Sequence, residues 1–348
     1  MIKKYIINIF LSFALIFVYF INSGYLICQN KYLKNTSLEH IYFNTLISFP
    51  DKAFNTSNIK SNYYDKNKVT TKEFCSILES LYLNNFMLVN LLDFIEYTDG
   101  QFSYKNTTLP NNKKPIILSF DNVTYISNYQ NTGEIDKIII DRNNNIATYT
   151  TKKSIQDRVQ YDNEFIVILE NFISTHPDFS FNNAKGIIFF SGENGVLGYK
   201  TNHKNTQHKF EAKRALQVIT KLKTLGWLFG SNNYKYISDI TKSDIEFAKE
   251  LDLWNKEISP LISSTNLYSF PQGILDTSPS KIKMLNSYNF NYFFYNSFDE
   301  IPYIENNNIF LPRKFISGNT LRNNHDSLKH LFDAKSIYDY NNRLTLFS

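Results

Sequence analysis

Short runs of β-branched and aromatic residues alternate with helical patterns along most of this chain, and that alternation does most to narrow its fold. Residues 115–123 read Pro-Ile-Ile-Leu-Ser-Phe-Asp-Asn-Val, a buried-strand run that stops abruptly at Asp121-Asn122. Residues 185–190, 227–230, 266–270 and 290–295 are runs of the same kind. The stretches between them are helical in period. Phe74, Ile77, Leu78 and Leu81 make an apolar stripe behind Thr70 or Thr71 as a cap. Residues 161–175 form an amphipathic helix. In 210–225, Ala212, Ala215, Leu216, Ile219 and Leu222 share one face, and Gly226 ends the helix. Residues 242–258 and 280–285 are the last helices. Strands alternating with helices predict βα units around a parallel sheet. The expected fold is α/β: an irregular (β/α) barrel first, an open doubly wound sheet second. Polar residues at the carboxyl end of a buried strand, such as Asp121, are where such folds place their chemistry.

Residues 40–49 read as a first strand running into a loop, and 55–68 as an Asn-, Lys- and Tyr-rich loop. A short strand is expected at 87–90, a helix opening at Leu91, and a polar loop over 99–114. Residues 135–140 and 145–151, split by Asp141-Arg142-Asn143-Asn144, predict an inserted β-hairpin.

The amino terminus has a different character. Lys3 and Lys4 precede 23 uncharged residues, 5–27, long enough to cross a bilayer. A basic flank followed by an apolar run marks a secretory signal or an uncleaved anchor. Asn22-Ser23-Gly24 is a mediocre cleavage site, which favours the anchor. The chain thus divides into a signal or anchor (1–27), a linker (28–37) and one domain (38–348), and the domain is expected outside the cytoplasm, membrane-anchored or secreted. The net charge is +5, with 37 basic residues interspersed among 32 acidic ones. No clustered basic face is visible, so nucleic acid is not an expected partner. With only Cys28 and Cys75, no disulfide framework is expected.

Several phrases, in order, resemble the polysaccharide deacetylases (the NodB-homology family, carbohydrate esterase family four). Ser119-Phe120-Asp121-Asn122 is similar to that family's first motif, Thr/Ser-Phe-Asp-Asp. Val196-Leu197-Gly198-Tyr199-Lys200-Thr201 resembles a mid-chain phrase of one branch. The run from Leu222 to Ser231 resembles the lead-in to the second motif, and Leu311 to Gly318 a carboxyl-terminal phrase. The likeness spans about 40–339. It implies a divalent metal held by the second Asp of motif one and two His of motif two, which activates water and polarises an acetyl carbonyl, with the first Asp as base. On this chain Asp121 keeps the base position. Asn122, Asn232 and Tyr236 stand at the three metal positions. Ser317 stands where the branch has an Asp beside Arg313, and Asn44 where it often has a His. Phe270-Pro271-Gln272-Gly273 is an altered form of a family loop.

A carboxylate and two imidazoles grip a zinc-like metal; amides and a phenol do so poorly. No metal cofactor is therefore expected, unless a displaced site recruits His203 or His208. Lys200, Thr201, Pro271, Gly273 and Arg313 are the substrate-groove candidates. Residues 192–201 lack the Gly-Lys-Ser/Thr of a phosphate loop, and no Gly-x-Ser-x-Gly elbow or Cys–His pair suggests another hydrolase. His176 reads as a helix end, and His325 and His330 as a late exposed helix. The expected function is that of an extracytoplasmic deacetylase-like protein acting on or binding N-acetylated cell-envelope glycan, catalytically impaired because the metal triad is replaced. The alternatives are an active, divergent metal-dependent deacetylase and a non-catalytic envelope adhesion or structural protein.

Overall fold

The computed structural model describes residues 38–55, 60–110, 112–125 and 133–343. The predicted signal or anchor, its linker and Cys28 lie outside them. Among the described residues no helix is long and apolar enough to cross a membrane.

Seven strands close into a parallel barrel: β1 (Glu39–Phe43), β2 (Lys114–Asp121), β3 (Ile187–Phe190), β4 (Leu228–Ser231), β5 (Leu267–Ser269), β6 (Tyr292–Asn296) and β7 (Asn308–Phe315). Each pairs with the next in sequence. β7 returns to β1 through Ile41↔Lys314 and Tyr42↔Phe315, which removes the free edges that an open doubly wound sheet would keep. Five main helices cover the outside: α1 (Thr71–Leu83), α2 (Phe165–Thr175), α3 (His208–Thr224), α4 (Asp244–Glu257) and α5 (Pro279–Ser287). No helix joins β6 to β7. The strand Tyr303–Glu305 folds back antiparallel on β7 instead, so the barrel is irregular in that unit.

Local chemistry fixes the helix ends. Thr70 Oγ1 accepts from the Glu73 amide while Glu73 accepts from the Thr70 amide, so of the two threonines Thr70 caps α1. Ser243 and Glu246 make the same box at the start of α4. Outward-facing strand residues such as Ile116, Leu118 and Phe120 join the helices in the larger core. Phe120 stacks on Phe165 of α2 at 3.7 Å between ring centroids, and burying each such ring stabilises by about 1.5–3 kcal/mol.

Period-2 alternation sends the other residues inward. Ile117, Ile187, Leu267, Tyr292 and Ile309 fill the amino-terminal part of the interior. Toward the carboxyl end the lining turns polar: His40, Ser119, Asp121, Ser269 and Arg313, all buried. This gradient places the unusual side chains at one mouth.

Two expectations need correction. The predicted loop 99–114 begins instead with a hairpin, Ile95–Thr98 paired with Gln101–Tyr104. Asp99 and Gly100 both have positive φ at its turn, and Asp-Gly is a strong signal for that turn type. The predicted loop 55–68 contains a helix, Ser61–Asn67, held from outside by tertiary contacts: Arg322 and Arg343 both reach Asp65. The first strand, Glu39–Phe43, runs into a loop as expected. The inserted hairpin is present as Lys137–Ile140 and Ile146–Tyr149, with Val159–Gln160 adding a third strand.

Candidate functional site

The carboxyl-terminal mouth of the barrel holds a pocket of about 520 Å³. Successive strand ends line it: Tyr42 in β1 and Asn44 just after it, Asn122 after β2, Glu193 and Asn194 after β3, Tyr236 and Ile237 after β4, Gln272 after β5 and Phe315 at the end of β7. Tyr63 and Asn67, from the helix over β1, complete it.

A dry ion pair lies beneath this pocket. Arg313 Nη1 donates to Asp121 Oδ1 and Nη2 to Oδ2, both at 2.9 Å, and neither side chain has any exposure. Ser269 Oγ accepts from Arg313 Nη2 at 2.6 Å and donates to Asp121 Oδ2 at 3.0 Å. Ser119 Oγ accepts from Arg313 Nη1 at 2.9 Å and lies 2.8 Å from His40 Nε2. A guanidinium only donates. The Ser119 proton is therefore free for a further acceptor, and a neutral His40 Nε2 can take it. Burial, and then the Arg313 and Lys314 cations, hold the His40 pKa well below the usual histidine range, which agrees. The Arg313 guanidinium lies 4.0 Å from the centre of the Tyr42 ring, a cation–π contact that ties the ion pair to the pocket wall.

Asn122 and Asn232 sit just above and are bonded into the protein. Asn232 Oδ1 accepts from the Asn122 amide at 2.9 Å, and Asn232 Nδ2 donates to the Ser269 carbonyl at 3.2 Å. Asn122 Oδ1 accepts from Ser191 Oγ at 2.6 Å. Asn122 has φ +54, a conformation that Asn tolerates better than most residues. Tyr236 lines the pocket, and burial followed by the Asp121 carboxylate holds its phenol well above the usual tyrosine range. The three positions that resemble the family's metal ligands thus offer two neutral amide oxygens, each already accepting a hydrogen bond, and a protonated phenol. That donor set does not fit a zinc-like ion. Among the described residues no group of three or more His, Cys, Asp or Glu is placed to hold a metal.

The structure thus brings Asp121, Asn122, Asn232, Tyr236 and Arg313 together. The other groove candidates lie outside the pocket lining. Lys200 is exposed, and its amide donates to Glu211 Oε2. Thr201 is buried. Pro271 and Gly273 flank Gln272, which does line the pocket and whose Nε2 donates to the Tyr236 carbonyl at 3.3 Å. Ser317 caps the helix Gly318–Asn323 rather than facing Arg313. His203 gives its ring to Glu257 at 2.6 Å and packs on His208, their centroids 4.7 Å apart; neither lines the pocket. His176 is the C-cap of α2, as expected. His325 opens the helix His325–Leu328, and His330 reaches Glu39 from the turn after it. Sequence reading missed Tyr42, Tyr63, Asn67, Glu193 and Gln272 as lining residues, and Ser119, Ser269 and His40 as parts of the buried network. Only the inward phase of β1, β2 and β5 could have flagged Tyr42, His40, Ser119 and Ser269.

No family model and no curated protein sequence matches the chain. Solved structures do match by shape. PplD, a deacetylase of Streptococcus pyogenes solved in complex with acetate, aligns over 82% of this chain and 96% of its own, at TM-score 0.45 and 12% identity. A polysaccharide deacetylase from Bacillus cereus aligns over 84% and 68%, at TM-score 0.44 and 10% identity. A de-N-acetylase from Aggregatibacter actinomycetemcomitans aligns over 85% and 99%, at TM-score 0.47 and 11% identity.

Proposed function

We propose that this protein is a deacetylase-like barrel that binds N-acetylated glycan at the cell envelope without hydrolysing it. One observation carries this reading. The residues at the three metal positions are committed elsewhere: Asn232 is hydrogen-bonded to the Asn122 amide and to Ser269, Asn122 takes the Ser191 hydroxyl, and Tyr236 keeps its proton. Asp121, the family's base position, has both oxygens held by Arg313 in a dry site. Its two oxygens accept from Arg313 and Ser269, which commits the carboxylate to the ion pair.

The pocket above keeps what a saccharide needs. Tyr63, Tyr236 and Phe315 supply apolar faces, while Asn44, Asn67, Asn122 and Gln272 supply amides that both donate and accept. Asn44 Oδ1 is buried and has no hydrogen-bond partner among the described residues, so a ligand donor there would satisfy it. Export through the 5–27 segment would bring this pocket to envelope glycan.

The experiment pairs calorimetric titration with chitotetraose and an acetate-release assay in added zinc, cobalt or nickel. Binding that weakens at least tenfold in Tyr236→Ala, with no acetate released under any metal, is the expected result. Metal-dependent acetate release would overturn the reading, and would instead favour an active deacetylase with a displaced metal site.

A further inference from the structure

We infer a second binding site, for a neutral saccharide, at the opposite, amino-terminal mouth of the barrel. A concave pocket of about 490 Å³ opens there, within the range of small-molecule sites, about 300–1,000 Å³. Its lining is unusual in composition: Asn266, Asn286, Asn289, Asn291, Asn306, Asn307 and Asn308, with Tyr97 and Phe290.

The chain is rich in Asn, so abundance alone decides nothing. Backbone conformation explains three of the seven. Asn289, Asn306 and Asn307 have positive φ, where Asn is tolerated in turns. The other four have no such reason. Asn266 and Asn291 immediately precede β5 and β6, and Asn308 is the first residue of β7, so the barrel itself sets them side by side. Asn266 O accepts from the Asn291 and Tyr292 amides, which locks two of them in register.

Two of these side chains are incomplete. Asn308 is 1% exposed and its Nδ2 donates to the Asn306 carbonyl, yet its Oδ1 has no partner among the described residues. The buried Oδ1 of Asn291 has none either. An acceptor left so costs about 1–3 kcal/mol. Both residues line the pocket, so a ligand with donors would have two acceptors beside it to satisfy.

The lining selects the class of ligand. It contains no Lys, Arg or His for an anion and no carboxylate for a hard divalent cation. Amides both donate and accept, as do sugar hydroxyls. Tyr97, 42% exposed, offers a ring face for the C–H side of a pyranose. It comes from the hairpin that covers this mouth, and Phe102 of that hairpin, packed on Tyr97 at 4.6 Å, meets Tyr292 of β6 edge-on at 4.9 Å. The ring is therefore held in place before any ligand arrives.

This site does not depend on the glycan reading of the other mouth, and the test separates the two. Maltotriose, cellotriose and chitotriose are titrated into the purified full-length chain and into Tyr236→Ala, Tyr97→Ala and Asn291→Ala. At least one trisaccharide should bind Tyr236→Ala, and that binding should weaken tenfold or more in the chain carrying Tyr97→Ala as well. Asn291→Ala should give the same loss. If it fails to fold, exposed Tyr97 still decides. Binding of none of the three sugars, binding abolished by Tyr236→Ala alone, or binding indifferent to Tyr97→Ala would each overturn the inference.

Discussion

Arg313 on β7 grips Asp121 at the end of β2 through two parallel 2.9 Å hydrogen bonds, with both side chains wholly shielded from solvent. The two strands lie on either side of β1 in the closed ring, so the pair spans the seam where the barrel closes. Removing one partner would strand the other charge in a dry site, which costs about 3–5 kcal/mol. Arg313→Met should lower unfolding stability by that amount in urea titrations. Adding Asp121→Leu should recover part of the loss, because the orphaned charge goes too. A single variant that loses less than about 1 kcal/mol would show the pair to be dispensable.

The three positions that resemble the family's metal ligands make a second prediction. Because the barrel still brings residues 122, 232 and 236 to one place, Asn122→Asp, Asn232→His and Tyr236→His together should create zinc affinity that the natural chain lacks. Metal content after dialysis, measured by mass spectrometry, checks both halves. Zinc retained by the natural chain and lost in His203→Ala would point instead to a displaced site around His203 and Glu257.

Two buried titrating groups should bracket the pH of greatest stability. His40 is held neutral in the fold, so its pKa is lower there than in the unfolded chain. As pH drops through about 6.5, the unfolded chain takes up a proton that the fold refuses, and stability falls. Glu164 is the opposite case. It is fully buried, and burial pushes its carboxyl up to about 8, the nearby Glu134 adding to the rise. Between roughly pH 4.5 and 8 the unfolded chain has lost that proton while the fold keeps it, so stability declines as pH rises across this window. Glu164→Gln keeps an oxygen for the Leu46 and Phe165 amides and should stabilise the protein by about 1–3 kcal/mol at pH 8. His40→Gln should flatten the acid limb. Melting temperature against pH, for the natural chain and both variants, reads out each sign separately.

Sequence carried the barrel well, because buried parallel strands are continuous apolar runs and their helices have clear stripes; β2, β3 and α3 were legible to within two residues. It carried Asp121 and Asn122 as a strand-end pair. Partners distant in sequence left no trace. That Asn232 bonds Asn122 across 110 positions, or that Ser119 links His40 to Arg313, follows only from closing the ring. The helix Ser61–Asn67 was hidden for a similar reason, since Arg343 and Arg322 hold Asp65 from the far end of the chain.

Gly273 shows how the wall of the carboxyl-terminal pocket is set. Its φ is +71, and a Cβ there would sit 2.5 Å from Tyr42 Oη and 2.6 Å from Asn296 Cβ. Tyr42 is pinned in turn, its ring lying against the Arg313 guanidinium. Gly273→Ala therefore meets backbone strain of about 1–2 kcal/mol and must also push Tyr42 out of place. The neighbouring Gln272 already has φ +60 and reaches the pocket with its side chain, so Gln272→Ala should leave stability within about 0.5 kcal/mol. Chitotetraose binding should weaken in both variants, with a loss of stability only in Gly273→Ala. Unchanged binding in a folded Gly273→Ala protein would mean that Tyr42 does not shape the saccharide contact.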